Sequence, residues 1–298
     1  LMAPWGYVAG LQADPVEKKP FYHFLPGSIA LTFGMLGCNF HCDNCQNWVS
    51  SQAGRDPDCD RVIGQIERIS SEKIISHGVR MGAKVLASSY NEPLITAEWA
   101  AEIFKQANQA GMQSVMVSNG YATAETLEYL NPVMQGYKID LKSMQEKNYR
   151  RLGGVLQHVL DSIVKAHNLG MWVEVVTLLI PGFNDSNEEL WEISKFIKEI
   201  SADIPWHISA FHQDYRMLDA ERTPVASLLR AAEIGCEAGL RYVYAGNLPG
   251  MVEEYESTFC HACRSDLIKR RGFRILENRL TDEGMCPKCG TLAAGVWK

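Results

Sequence analysis

The sequence predicts an α/β fold: six or seven βα units forming a mostly parallel sheet, rolled into a partial or full barrel and followed by a small cysteine-stapled piece. Three observations predict it. Short apolar runs alternate with amphipathic helical stretches from Ile29 to about Ala245. Three cysteines, Cys38, Cys42 and Cys45, stand in a Cys-x3-Cys-x2-Cys loop directly after the first of those runs. After Gly250 the alternation stops, and two Cys-x2-Cys pairs take over, Cys260/Cys263 and Cys286/Cys289. On this basis the chain divides into an extended lead-in (residues 1–28), the βα body (29–250) and a four-cysteine zinc-ribbon or rubredoxin-like piece (251–298).

The elements follow in order. Residues 1–28 mix Gly, Pro and aromatics with the charged trio Glu17, Lys18 and Lys19, the composition of a segment that wraps the body. Ile29–Met35 is the first strand; the cysteine loop follows, then helical sequence from Arg61 to about His77. Lys84–Ser89 is the second strand. After Thr96, an N-cap residue type, Trp99, Ala100, Ile103, Phe104 and Ala107 mark one helix face. Ser114–Ser118 is the third strand, Ala124–Leu130 a short helix, and Tyr137–Leu141 the fourth strand.

Ser143 and Glu146 have capping-box spacing, and a longer helix with Leu156, Val159, Leu160, Ile163, Val164 and His167 on one side comes next. Trp172–Ile180 is the fifth strand. Ser186 and Glu189 form another capping box for a helix faced by Leu190, Ile193, Ile197 and Ile200. Trp206–Phe211 is the sixth strand. The helical series Val225, Leu228, Leu229, Ala232 and Cys236 predicts a buried Cys236, and Arg241–Ala245 is the seventh strand.

At 298 residues the chain can bury a sizeable core. With 46% hydrophobic and 21% charged residues it has the composition of an ordinary globular enzyme. A net charge of −6 supplies no basic field for nucleic acid or an anionic membrane. Met171–Pro181, the longest apolar run, is interrupted by Glu174 and too short to span a bilayer. No charged leader followed by an apolar stretch opens the chain, which argues against secretion. Of nine cysteines, seven fall in tight metal-type spacings, as expected in a reducing cytoplasm rather than in a disulfide framework. Cys59, in a polar turn, receives no role.

Thiolates as close in sequence as Cys38, Cys42 and Cys45 converge on a soft metal centre, either an iron–sulfur cluster or zinc completed by a fourth ligand such as His41. Three close thiolates facing a polar rim favour a cluster with one open iron. In α/β folds that rim forms at the carboxyl ends of the strands. Asn91 and Glu92 follow strand two, Ser118 and Asn119 close strand three, Asp140 and Lys142 end strand four, and His207 lies on strand six. The terminal pairs, separated by 22 residues and the second followed by Gly290, have the layout of a four-cysteine zinc or iron site that holds a piece too small for its own core. Lys269–Arg274 between them reads as a solvated hairpin tip.

The Cys-x3-Cys-x2-Cys loop after the first strand of a (β/α) barrel resembles the radical SAM superfamily across roughly residues 29–248. Asn91-Glu92-Pro93 stands in the place of that superfamily's Gly-Gly-Glu-Pro segment, and Ser118-Asn119-Gly120 in that of its Thr-Asn-Gly turn. Asp140-Leu141-Lys142 is similar to the Asp-Leu-Lys of pyruvate formate-lyase activating enzymes. Further segments, among them Cys45-Gln46-Asn47-Trp48, Ile180–Asp185 and Tyr244–Gly250, resemble the AmmeMemoRadiSam subgroup.

The resemblance implies a partial (β/α)6-type radical SAM barrel. It implies a [4Fe–4S] cluster on Cys38, Cys42 and Cys45 that leaves one iron for S-adenosylmethionine (SAM), and reductive cleavage of SAM to a 5′-deoxyadenosyl radical that takes hydrogen from a substrate. Asn91 and Glu92 would stand near the methionine ammonium, and Asp140 and Lys142 near the ribose hydroxyls and the carboxylate. Ser118, Asn119 and His207 are further cofactor-binding candidates. A low-potential electron donor such as a ferredoxin or flavodoxin is the expected partner, and a glycyl-radical activase acting on a protein is the rival activity. From another class, the rival is a non-catalytic iron–sulfur electron carrier. Two residues depart from the pattern: Asn44 stands where the superfamily usually has a large apolar side chain, and Asn91 replaces a glycine.

Overall fold

The computed structural model describes residues 4–298. Its strands are β1 (Tyr7–Val8), β2 (Gly10–Pro15), β3 (Ile29–Gly34), β4 (Glu67–Arg68), β5 (Val85–Ser88), β6 (Gln113–Ser118), β7 (Gly136–Asp140), β8 (Trp172–Leu179), β9 (Trp206–Ala210), β10 (Val243–Gly246), β11 (Thr258–Phe259), β12 (Asp266–Arg271) and β13 (Arg274–Asn278). Its helices are α1 (Trp48–Ser51), α2 (Ser71–Arg80), α3 (Ala97–Gln109), α4 (Ala124–Leu130), α5 (Glu146–Leu152), α6 (Leu156–Asn168), α7 (Asn187–Ile200) and α8 (Val225–Glu237). The main sheet has the order β10-β9-β8-β7-β6-β5-β3-β2. Seven neighbouring strands, β3 to β10, run parallel in chain order, and β2 pairs antiparallel with β3 at the edge. The result is a partial barrel whose seven parallel strands fall within the six or seven βα units expected.

Period-two alternation sorts each strand between two cores. Leu31, Phe33, Leu86, Met116, Tyr137 and Ile139 face outward and are covered by the apolar stripes of the helices. Ala30, Val85, Ala87 and Val115 face inward and meet Val16, Phe21, Phe24 and Leu25 of the lead-in. That segment therefore does more than wrap the body. Residues 10–15 extend the sheet, and residues 16–25 fill the barrel at the amino-terminal end of the strands.

Three local expectations are corrected. The stretch from Arg61 is not helical throughout: Pro57–Gln65 is a 3-10 turn, β4 pairs with β1, and α2 begins only at Ser71. Thr96 precedes α3, but its hydroxyl donates to Pro93 O at 3.2 Å instead of capping the helix. Cys236 is exposed, not buried. Gly235 carries the contact in its place, because a Cβ there would lie 2.9 Å from Trp206 Cε3. The buried face of α8 thus runs through Leu228, Ala231, Ala232 and Gly235, and turns Cys236 outward.

The C-terminal residues form a three-stranded antiparallel sheet, β11-β12-β13. Arg270 fastens it to the barrel: it is fully buried and donates to Tyr22 O at 2.8 Å and to Thr258 Oγ1 at 2.7 Å, with Glu17 at 3.7 Å. The segment read as a solvated tip is thus half clasp. Among the described residues no helix is long and apolar enough to cross a membrane.

Candidate functional site

The cysteine loop leaves β3 through Gly37, whose φ of 93° only glycine adopts without strain. Two backbone bonds clamp that turn, Gly37 N to Ser50 O at 2.9 Å and Glu92 N to Gly37 O at 3.2 Å. Phe40 anchors the middle of the loop, 1% exposed against Tyr121 and Tyr149. Phe40 N donates to Cys38 Sγ at 3.3 Å, and Cys45 Sγ lies 3.1 Å from Ser51 Oγ. Burial, joined by the Glu92 carboxylate, pushes the Cys38 thiol up to about 12, and burial pushes Cys42 up to about 11 in spite of Lys142. Such thiols ionise when a cation displaces their protons.

Behind the loop sits Glu92, 2% exposed. Its Oε1 accepts from Ser118 Oγ at 2.7 Å and from Leu94 N at 3.0 Å, and its Oε2 accepts from Asn119 N at 2.7 Å. Burial outweighs these donors and raises its carboxyl to about 7. Asn119 reaches on to the loop, donating to Asn39 Oδ1 at 2.7 Å and lying 3.9 Å from Cys38 Sγ. Asn91 works as a backbone stitch: its Oδ1 accepts from Met35 N at 3.0 Å and its amide donates to Glu92 O.

At the end of β7, Asp140 accepts from Lys142 Nζ at 3.0 Å and from Lys138 Nζ. Burial would raise the Asp140 carboxyl, but the two ammonium groups override it and hold it at about 2. Burial likewise works against the Lys142 charge, and Asp140 more than restores it.

A cavity of about 440 Å³ opens at this end of the sheet. Cys42, Cys45 and Asn44 of the loop, Lys138 and Asp140 of β7, and Lys142 just beyond it all line it. The structure thus brings two of the three loop cysteines together with the β7 pair. Ser118, Asn119, Asn91 and Glu92 stand behind the cysteine loop, not on the cavity wall. His207 is not brought to either group. It lies lower in the barrel, with Nε2 2.6 Å from Glu174 Oε2 and its ring stacked on Tyr244. Burial pulls its pKa below the ordinary value in spite of Glu174.

Lys138 was missed in the sequence, although it precedes Asp140 by two residues and alternation alone puts it on the same face. Ser209, Asn247 and the lead-in pair Lys18 and Lys19 also reach the cavity. For Lys18, Lys19 and Phe273 no local signal could have shown it.

The terminal cysteines are gathered differently. Among the described residues, the one group of His, Cys, Asp or Glu ligand atoms all within 4.8 Å of one another is Cys260, Cys263, Cys286 and Cys289. Cys260 and Cys289 sulfurs are 3.6 Å apart, and Cys263 and Cys286 sulfurs 3.7 Å. Thiolates at about 2.3 Å from one tetrahedral ion have edges of about 3.8 Å, so the four fit a single ion. The two knuckles repeat one geometry: Arg264 N donates to Cys260 O at 2.8 Å and Gly290 N to Cys286 O at 2.9 Å, with positive φ at both donors. Cys38, Cys42 and Cys45 are not all within 4.8 Å of one another, and three thiol donors suit a cluster with one ligand position left over.

A radical SAM superfamily model matches residues 33–197. An uncharacterized protein of Methanocaldococcus jannaschii is 35% identical over 96% of this chain and 84% of its own length. The pyruvate formate-lyase-activating enzyme of Clostridium pasteurianum is 23% identical over 66% of this chain and 85% of its own. Among solved structures, a radical SAM methyltransferase from Sphaerobacter thermophilus shares the fold with a TM-score of 0.55 at 12% identity, covering 78% of this chain and 70% of that one. SuiB of Streptococcus suis, bound to its precursor peptide SuiA, does so with a TM-score of 0.57 at 13% identity, over 79% of this chain and about half (52%) of that one. The chain belongs to the radical SAM superfamily, and with it to the enzymes whose radical chemistry uses a [4Fe–4S] cluster and SAM.

Proposed function

We propose that Cys38, Cys42 and Cys45 hold a [4Fe–4S] cluster and that the adjoining cavity wall binds SAM for reductive cleavage. The observation that carries the reading is the common lining of one cavity by Cys42, Cys45, Asp140 and Lys142. When bound, cluster and SAM supply a 5′-deoxyadenosyl radical that takes hydrogen from a substrate.

In this reading Lys142 meets the SAM carboxylate, and Asp140, kept ionised by two lysines, accepts from the ribose hydroxyls. Glu92 completes the ammonium site through Asn119 and Ser118, while Asn91 fixes the turn that carries it. Asn44 faces the cavity where an apolar residue is usual in the family, and offers adenine an amide contact. His207 supports the barrel floor through Glu174. The four terminal cysteines hold a structural zinc, with residues 1–28, 29–250 and 251–298 as lead-in, barrel and ribbon. A ferredoxin or flavodoxin supplies the electron, and the segments shared with the AmmeMemoRadiSam subgroup favour that branch. The likeness to activating enzymes supports a second reading, transfer of the radical to a protein partner.

The test is anaerobic reconstitution with iron and sulfide, followed by SAM and a low-potential reductant. 5′-Deoxyadenosine is expected from the parent and not from Cys42→Ala; equal yields would remove the reading. Metal analysis of the purified chain is expected to find one zinc beside the cluster iron.

A further inference from the structure

The lining of the same cavity includes side chains that the proposed cofactor contacts do not use. Lys18 and Lys19 reach it from the lead-in, Tyr90 from the turn after β5, and Phe273 from the tip of the β12–β13 hairpin. Lys19 is the informative residue. Its side chain is only 4% exposed, yet the carboxylate nearest to it, Asp14, lies 3.4 Å away and is shared with Lys18 at 2.9 Å. Its ammonium donates to the Tyr90 hydroxyl at 3.0 Å and sits 4.5 Å from the centre of that ring. Tyr90 itself is held at φ 74°, a left-handed backbone rare for a bulky residue and maintained only where surrounding structure imposes it. Burial draws Lys19 down to about 8 even with Asp14 beside it.

Charge shows what this wall lacks. Two ammonium groups, Lys18 and Lys19, divide the one carboxylate of Asp14, and Lys138 and Lys142 divide that of Asp140. The cofactors do not take up the surplus. An oxidised [4Fe–4S] core on three thiolates carries one negative charge, and SAM carries one positive. A concave and partly desolvated site left with positive charge selects an anion.

We propose that Lys18, Lys19, Tyr90 and Phe273 form the substrate subsite, and that the substrate presents a carboxylate or phosphate group to the two lysines. The assignment rests on the part of the lining formed by Cys42, Cys45, Asp140 and Lys142 being the SAM site. Tyr90 fixes the ammonium in place, and Phe273 covers the apolar part of the ligand at the mouth. The ribbon therefore contributes a residue to the site.

The test is calorimetric titration of the reconstituted, SAM-bound chain with inorganic phosphate, succinate and putrescine. Saturable binding of an anion is expected, weakened at least about tenfold in Lys19→Met, less in Lys18→Ala, and retained in Lys19→Arg, with none for putrescine. Tighter phosphate assigns a phosphate group, and tighter succinate a carboxylate. The exposed Lys18→Ala leaves the buried lysine in place, so its result stands even if Lys19→Met misfolds. The proposal is overturned if neither anion saturates a protein that binds SAM, or if Lys19→Met and Lys18→Ala both bind as the parent does. Failure to bind SAM strikes the cofactor reading instead. The titration is then read on the SAM-free protein, where the lysine wall is already complete.

Discussion

The two cysteine groups of this chain look alike in sequence and differ in physics. The terminal four bring their sulfurs to within 4.8 Å of one another and differ among themselves: burial pushes the Cys260 thiol up to about 11, while the Ser265 hydroxyl draws Cys286 down to about 6. The loop three are more widely spread and are backed by a buried carboxylate, with Cys38 and Cys42 pushed up to about 12 and 11 by burial. A site of the first kind is shaped to grip one ion and to staple chain. The second is shaped to accept a larger core and to leave a face of it open onto a cavity.

The largest effects test that division directly. Cys42→Ala should remove about four iron ions per chain and all 5′-deoxyadenosine formation, while leaving the metal of the terminal site and far-UV circular dichroism as in the parent. Cys286→Ala should do the reverse, releasing the terminal metal while the loop iron stays. Structural zinc contributes about 10 kcal/mol or more to small metal-held folds, so residues 258–298 should become the first target of limited proteolysis. Elemental analysis of both variants reads the cross. Loss of both metals in either variant would show that the two groups are one assembly.

Arg270 sharpens the comparison, because it is the point where the ribbon and the barrel are tied. Its side chain is fully buried, with donors on Tyr22 O and Thr258 Oγ1 and a charge partner in buried Glu17. Removing one member of a buried pair leaves an uncompensated charge, so Arg270→Met should cost about 3 kcal/mol in urea unfolding of the metal-loaded chain. If the loss is confined to the ribbon, protease protection of residues 16–25 should persist. If the tie holds the barrel floor, both regions should open together.

What could be read in the sequence follows the range of the forces involved. Both cysteine groups were legible because ligand spacing is local, and the parallel strands because their apolar runs are continuous. Depth was not. His207 and Ser209 share a strand face, yet only Ser209 lines the cavity, because His207 sits one pleat pair lower, against Glu174. Cys236 was read as buried because glycine carries no hydrophobic signal, so the contact of Gly235 with Trp206 could not be seen. The pairing of Glu67–Arg68 with Tyr7–Val8, the filling of the barrel by Phe21 and Phe24, and the reach of Phe273 to the cavity all join residues far apart in the chain. Such long-range pairings are settled by tertiary packing, which no local pattern encodes.

The subtlest prediction concerns Glu92, the carboxylate that distinguishes the loop site from the ribbon. Burial lifts its pKa from 4.5 to about 7, above what its three donors can offset. A raised carboxyl favours the fold when protonated. That stability is therefore fully present below pH about 4.5 and is lost as pH rises through 7, by about 3 kcal/mol. Glu92→Gln removes the titration. Its stability relative to the parent, from urea unfolding without SAM, should improve by about 2–3 kcal/mol between pH 5 and pH 8. If the proposed ammonium site is right, SAM affinity should run the other way in the parent, falling as pH drops below 7 and the negative charge behind that site is lost. In Glu92→Gln that affinity should be weak and flat with pH. Two opposed slopes in the parent, both abolished in one variant, would mark Glu92 as a charge held for its ligand at the expense of the fold. A stability slope that survives in Glu92→Gln would assign the titration to another group.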